Sequence, residues 1–371
     1  MTKLIRGLLI FLNILAVLAL VMVKIGSLVN PDDTVLFSYA SLFFLPIVFL
    51  NVAFVLFWIL LHNKWALLSL ISLLLFMGMI KSVIPYNIRK PEIDTTRQKI
   101  TLLSYNTMSM SSMKKHLPDN PNGVVEYILK KNADIVCLQE FAVSQNKKQF
   151  QEKDFERIFK MYPYKHVSFQ LNKWNMNIGL ATLSKFPIIE KRNVNYRAEF
   201  NLSIFSDVVI GGDTIRVVNN HLESNRITAQ DMKNSMALRE DFSSEKFSEI
   251  TRYLSQKMSV AYKVRAKEAN EVAKVINNSP YKVICCGDFN DVPASYTYTK
   301  VRGKLKDAFR ETGKGTGWTF THGLYRFRID YIMYDDSFQS NHFVIGKLRA
   351  SDHFPVQTDL YLSHKTNDAI Q

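Results

Sequence analysis

Two hydrophobic patterns divide the chain. Up to about residue 84, apolar residues come in long unbroken stretches. "LLIFLNILAVLALVMV" (8–23) carries no charge, and residues 36–61 run 26 positions without one. "WALLSLISLLLFMGMI" (65–80) follows a short "HNK". A spanning helix needs roughly 20 apolar residues, and backbone in lipid must satisfy its own hydrogen bonds. The pattern therefore predicts a membrane region over 1–84, with helices at about 7–24, 36–61 and 65–84. Pro46 is expected to kink the second. A cleaved signal peptide also begins basic, as Lys3 and Arg6 do here. Two further apolar stretches and the want of a clean small-residue cleavage site argue against that alternative.

From residue 99 the apolar runs shorten to strand length and alternate with polar ones. They are "ITLLSYN" (100–106), "DIVCLQE" (134–140), "IGLATLS" (178–184), "LSIFSDVVI" (202–210), "TIRVVNNH" (214–221), "VICCGDFN" (283–290), "RIDYIMY" (328–334) and "PVQTDLYL" (355–362). Their Val, Ile and aromatic content predicts β-strands. "GVVEYILKKN" (123–132) and residues 261–278 carry the helical period. The Gly-Gly-Asp between the fourth and fifth runs predicts a hairpin. Residues 85–98, with two prolines and mixed charge, read as a linker, and 99–362 as a folded domain. A polar, helix-compatible insertion is expected at about 224–260, either a surface element or a lid, membrane contact or substrate element. Residues 363–371 form a tail. Mixed strands and helices with both hairpins and crossovers predict an α/β chain, a two-sheet sandwich flanked by helices.

Charge sharpens this division. Residues 1–97 carry eight Lys or Arg and four Asp or Glu, while the remainder holds a net charge of +10 out of the total +14. The basic body suits nucleic acid or anionic lipid headgroups, or is a solvated basic surface. Lys3 and Arg6 favour a cytoplasmic N-terminus, whereas Lys81, Arg89, Lys90 and Arg97 pull the other way. The first helix usually dominates, so the expectation is a multi-pass membrane protein with its body outside the cytoplasm. Cys137, Cys285 and Cys286 lie in apolar runs without metal spacing and read as small buried hydrophobes.

The ends of the strand runs carry the chemistry. Each is apolar and then abruptly ionisable or amide: Asn106, Glu140, His221, Asp288 with Asn290, Asp330, and Asp352 with His353. One such end is an ordinary cap. Six of them, gathered at one sandwich edge, make a site of four carboxylates, two histidines and two amides. Clustered carboxylates raise one another's pKa, and a hard divalent cation relieves that strain with oxygen ligands. Such a site suits metal-assisted hydrolysis of a phosphate ester, with histidine as acid–base or phosphate-binding group. "KWNMN" (173–177) and "SYTYTK" (295–300) place aromatics and amides in loops near these strands. "GKGTGWTF" (313–320) lacks a P-loop ending and reads as a loop into a strand.

In this order the motifs "LSYN", "LQE", "NNHL", "GDFN", "RIDYI" and "SDHFPV" resemble the endonuclease/exonuclease/phosphatase superfamily over about residues 98–362. The resemblance implies a four-layer α/β/β/α sandwich like deoxyribonuclease I, and a phosphoesterase using Mg²⁺ (or Mn²⁺). It implies Glu140 as main metal ligand, with Asn106 and Asp352. It implies Asp288 as the group that activates the attacking water, and Asn290 as the group holding the phosphoryl oxygens. His353 would pair with Asp330 and contact the phosphate, and His221 would face the leaving oxygen. Asn177 and Asn220 are expected to contact the substrate. Met108 and His221 depart from the abasic-site endonuclease pattern and match the deoxyribonuclease I and sphingomyelinase branches better. The implied partners are a membrane and a phosphate-ester substrate, whether nucleic acid, lipid headgroup or small molecule. No protein partner is inferable. A non-catalytic binding domain is the contrary class, and the intact set of acids and histidines argues against it.

Overall fold

The computed structural model describes residues 2–88, 92–94, 96–173, 175–196, 201–237, 243–322 and 325–362. The expected tail (363–371), Arg89, Lys90 and Trp174 lie outside them. The chain divides into two compact units, one of residues 1–80, 223–270 and 294–300, the other of 81–222, 271–293 and 301–371.

The first unit contains the apolar helices. Lys3–Gly26 and Ser38–Leu60 are each long and apolar enough to cross a membrane, and Ala66–Leu75 with Met77–Val83 form a third candidate bent by 66°. Pro46 does not kink the second. The α-helix begins at Phe44, so Pro46 falls in its first turn, where an N–H would lack a partner anyway. Large apolar side chains such as Phe11, Phe49, Leu60 and Leu75 face outward, while polar ones tie the helices together. Asn13 donates to the Trp65 carbonyl, Asn51 to the Ala16 carbonyl, and the Ser69 hydroxyl to both asparagine side chains. All three are fully buried, as expected where polar groups join helices in an apolar medium.

The expected insertion is helical, at Ala229–Ala237 and Ser244–Asn277. The second of these runs straight into the helix expected at 261–278, giving one 34-residue helix. Its part up to Asn270 packs within the first unit on the segment between the first two apolar helices. Tyr39 Oη donates to the Ser255 carbonyl at 2.6 Å, the Tyr39 and Tyr262 rings meet edge-on at 5.6 Å, and Lys267 Nζ lies 3.4 Å from Asp32 Oδ1. Residues 296–302, expected as part of a loop, form a helix, with Tyr296 Oη on Asn270 Oδ1.

The second unit is a sandwich of two six-stranded sheets. Fourteen strands are defined among the described residues: β1 Lys99–Asn106, β2 Ile135–Ser144, β3 Tyr164–Lys173, β4 Met176–Ser184, β5 Ile188–Asn193, β6 Leu202–Ile210, β7 Asp213–His221, β8 Lys282–Asp288, β9 Lys306–Asp307, β10 Phe320–His322, β11 Tyr325–Phe327, β12 Asp330–Tyr334, β13 Phe338–Ile345 and β14 Val356–Leu362. The sheet orders are β13-β14-β1-β2-β4-β3 and β5-β6-β7-β8-β12-β9, with β10-β11 a separate ribbon. The hairpin between β6 and β7 turns on Gly211 and Gly212, both at positive φ, as a two-residue turn requires.

Side chains alternate across each strand, and the two cores follow from that. Ile100, Leu102, Cys137, Val217, Ile284, Cys286 and Ile332 fill the space between the sheets. Leu103, Tyr105, Val136 and Leu138 face the other way, against Val124, Val125 and Ile128 of the helix Gly123–Lys131 and Phe155 of Glu152–Ile158. On the far side, Glu271 and Val275 lie beside Phe205 and Arg216 of the second sheet. The start of the expected linker is pinned rather than free. Asn87 donates to the carbonyls of Arg310 and Gly313, and buried Arg328 bridges Asp307 and the Ser82 carbonyl.

Candidate active site

The site is the polar end of the layer between the sheets. Continuing the inward parity of Ile100 and Leu102 along β1 brings Asn106 inward. The same count brings His221 inward on β7, Asp288 on β8 and Asp330 on β12. Strand pairing then sets them side by side. His221 is level with Asp288 in the parallel β7–β8 pair, and Asp330 is level with Asp288 in the antiparallel β8–β12 pair.

Glu140 reaches the site by a different route. Leu138 pairs with Ala181 and Phe141 with Gly179, so Gln139 and Glu140 together oppose Leu180 alone. This β-bulge shifts the parity of β2. Val136 and Leu138 pack against the outer helices before it, and Phe141 and Val143 do so after it. Glu140 belongs to neither face. Its φ is +47°, unusual for a residue with a side chain, and its carboxylate remains one-third exposed. Bulges beside active sites commonly re-aim a side chain in this way. Thr107 fastens the bulge by donating its hydroxyl to the Gln139 and Glu140 carbonyls.

Asp288 is the centre. Its Oδ1 accepts the Asn290 backbone N–H at 2.8 Å, and its Oδ2 accepts Asn106 Nδ2 at 3.0 Å. His353 Nε2 stands 3.6 Å and His221 Nε2 3.9 Å from Oδ2. Asn106 also donates to Glu140 at 3.2 Å, and His221 Nε2 lies 3.7 Å from the same Glu140 oxygen. Asn290, at φ +52°, directs its amide to the Leu222 carbonyl and to Asp288. His353 Nδ1 bonds Asp330 at 2.9 and 3.2 Å. Thr319 Oγ1 accepts the Asp330 N–H, and Ser351 Oγ accepts the His353 N–H while donating to the Asn106 carbonyl.

Charge follows geometry. Burial by itself would depress the His353 imidazole, but Asp330 and Asp288 outweigh it and hold the ring at about 10. Burial pushes the Asp288 carboxyl up, Asp330 adds to the rise, and His353, His221 and Asn106 oppose it. Donor atoms of Asp288, Asp330 and His353 lie within 4.8 Å of one another.

The structure thus brings Asn106, Glu140, His221, Asp288, Asn290, Asp330 and His353 together. Asp352 is half-buried beside them, accepting from Ser351 Oγ at 3.2 Å. Asn220 does not join them. The alternation that turns His221 inward turns Asn220 away, and its amide bonds the Cys286 carbonyl and Cys285 sulfur in full burial. Asn177 is half-buried on β4. Gly287 lies within β8 at φ +126°, where a Cβ would run into the Asn220 backbone, so it serves strand packing. Gln139 and Asn219, which the sequence reading passed over, tie the sheets together beneath the site. Gln139 Nε2 donates to Asn219 Oδ1 at 2.7 Å, and Asn219 donates to the Ala181 carbonyl. Both stand inside the quoted motifs, at inward-facing positions.

Comparison with known proteins bears on the family and the fold. The family model for the endonuclease/exonuclease/phosphatase family matches residues 103–353, and a domain of unknown function (DUF8431) matches residues 6–83. No curated protein matches the chain. The structure is similar to an endonuclease/exonuclease/phosphatase from Beutenbergia cavernae DSM 12333, with TM-score 0.50 and 17% identity, covering 72% of each chain. It is also similar to a family protein from Leptotrichia buccalis C-1013-b (TM-score 0.48, 14% identity, 71% of this chain and 100% of that one). TDP2 from C. elegans gives TM-score 0.47 and 16% identity, over 82% of this chain and 91% of that one. With a family model spanning most of its length and the motif residues converging at one edge of a two-sheet sandwich, the chain belongs to the endonuclease/exonuclease/phosphatase family.

Proposed function

We propose that the protein is a membrane-anchored, metal-dependent phosphoesterase that hydrolyses a phosphodiester (or monoester) by attack of water on phosphorus. The observation that carries this is the surroundings of Asp288. A buried carboxylate with a raised pKa faces two imidazoles and two amides within 4 Å. Asp288 accepts the proton of the attacking water, and Asn106 and Asn290 hold its carboxylate in place. His353, kept cationic by Asp330, faces the phosphoryl oxygens. His221, between Glu140 and Asp288, faces the leaving oxygen.

Glu140, with Asn106 and Asp352, would hold Mg²⁺ or Mn²⁺. Glu140 fits because its carboxylate, a hard oxygen donor, stands one-third exposed on a strained bulge. When bound, the cation would offset charge on the phosphate. Anchoring rests on the two or three apolar helices. Three crossings would put the N-terminus on the side of the bilayer opposite residues 85–371. The test uses the full chain in detergent or nanodiscs with bis(4-nitrophenyl) phosphate. Turnover should require Mg²⁺ or Mn²⁺ and fall by about 10³-fold or more in Asp288→Asn and Glu140→Gln. Unchanged turnover in both variants would sink the assignment.

A further inference from the structure

A cavity of about 210 Å³ adjoins the site, lined by Ser109, Glu140, Gln170, Ile178, Gly179, Leu180, Leu202 and His221. Its chemistry differs from that of the site it joins. Glu140 and His221 form one wall, while Ile178, Leu180 and Leu202 supply an apolar surface. Leu180 and Leu202 pack together with Ile204 in a small buried cluster of their own. The cavity is also built by the backbone. Strand β4 is flanked there by two bulges. On β2, Gln139 and Glu140 oppose Leu180. On β3, Phe169 pairs with Gly179 and Leu171 with Ile178, leaving Gln170 as the extra residue. Each bulge presents one polar side chain, Glu140 or Gln170, to the same hollow. Between them Gly179 is required, because a Cβ there would run into the Ser168 carbonyl.

We infer that this cavity is the leaving-group subsite, and that it selects phosphodiesters whose leaving group carries a compact apolar body of about ring size. The inference rests on the hydrolytic reading above. There His221 faces the leaving oxygen, so the hollow beside His221 receives what that oxygen carries. An apolar cavity of about 150 Å³ holds benzene, so the present one accommodates a ring with its connecting carbon. A polyol or sugar would leave its hydroxyls against Ile178, Leu180 and Leu202, with Gln170 and Ser109 the nearest neutral polar groups. Buried hydroxyls without partners are disfavoured.

The test compares two phosphorothiolate diesters sharing an O-methyl group, one releasing benzyl thiol and the other methanethiol, with the full chain in detergent. Free thiol is read with a chromogenic disulfide, against a low background because Cys137, Cys285 and Cys286 are all buried. The S-benzyl ester should be preferred in kcat/KM by about tenfold or more, since even one methylene in an apolar pocket is worth that much. Ile178→Phe fills the hollow and should bring the ratio to within about threefold. Equal kcat/KM for the two esters in the parent chain, or an unchanged ratio in the variant, overturns the inference. A second measurement needs no turnover: ¹⁹F NMR of 4-fluorobenzyl alcohol should show binding to the parent chain and its loss in Ile178→Phe. Failure to bind overturns the subsite. Binding without hydrolysis of either ester keeps the subsite and refutes the hydrolytic reading instead.

Discussion

Replacing Asp330 by Asn tests the charge assignment without altering the shape of the site. Asp330 Oδ2 lies 2.9 Å from His353 Nδ1, and both side chains are almost fully buried. The imidazole stands at about 10 against an ordinary 6.5. The folded pKa is raised, so this ring adds stability that is complete below about pH 6.5 and is lost as pH climbs towards 10. At about 1.4 kcal/mol per pH unit, the ceiling is about 5 kcal/mol. Asp288, 3.6 Å from the other ring nitrogen, keeps part of it. The expectation for Asp330→Asn is a His353 pKa lower by about two units or more, and an alkaline fall in stability that is correspondingly shallow. The assay is the ring titration by NMR, with thermal unfolding from pH 6 to 10, on the full chain in detergent with chelator. At about 2–4 °C per kcal/mol, the parent should lose on the order of 10 °C across that range through this group. A variant whose His353 titrates within one unit of the parent would refute the reasoning.

Three further outcomes are expected. Gly287→Ala forces a side chain into left-handed backbone against Asn220 and should destabilise the sandwich by more than about 3 kcal/mol in chemical denaturation. Met108–Met113 all have positive φ, a left-handed turn that L-residues resist by about 1–2 kcal/mol each, so exposed Ser112→Gly should raise stability by about 1 kcal/mol. With the native cysteines buried, single cysteines at Leu28 and Lys148 should label from one side of sealed vesicles, and one at His62 from the other. Labelling of His62 and Lys148 from the same side would contradict three crossings.

The eight strand-like runs legible in the sequence are the interior strands of the two sheets: β14, β1, β2 and β4 in one, β6, β7, β8 and β12 in the other. The strands that escaped are the four edges, β13, β3, β5 and β9, together with β11 of the short ribbon. The physical reason is plain. An interior strand is covered on both faces and reads as continuous apolar sequence, whereas edges are kept polar or short. "IIEKRN" of β5 is mostly exposed, and β9 has two residues.

The site was legible where it obeys alternation. Asn106, His221, Asp288 and Asp330 fall on inward positions of strands whose faces the apolar residues define. Asn220 stands apart from them because adjacency in sequence places it on the opposite face from His221. Glu140 was found as a motif residue, but its projection depends on a bulge that no periodicity announces. The cavity needs a second bulge at Gln170 and a glycine opposite it, which is a matter of register between strands. The insertion at 224–260 reads as helix, but its contact with Tyr39 joins residues 216 positions apart. Cutting the chain at 98 would strip that partner away.

The central claim is that water attacks phosphorus at Asp288. The most direct measurement is turnover of bis(4-nitrophenyl) phosphate by the full chain in H₂¹⁸O with Mg²⁺ or Mn²⁺. One ¹⁸O should appear in the 4-nitrophenyl phosphate product and none in the released phenol, and Asp288→Asn should abolish that product. Label in the phenol, or no hydrolysis with either cation, would contradict the account.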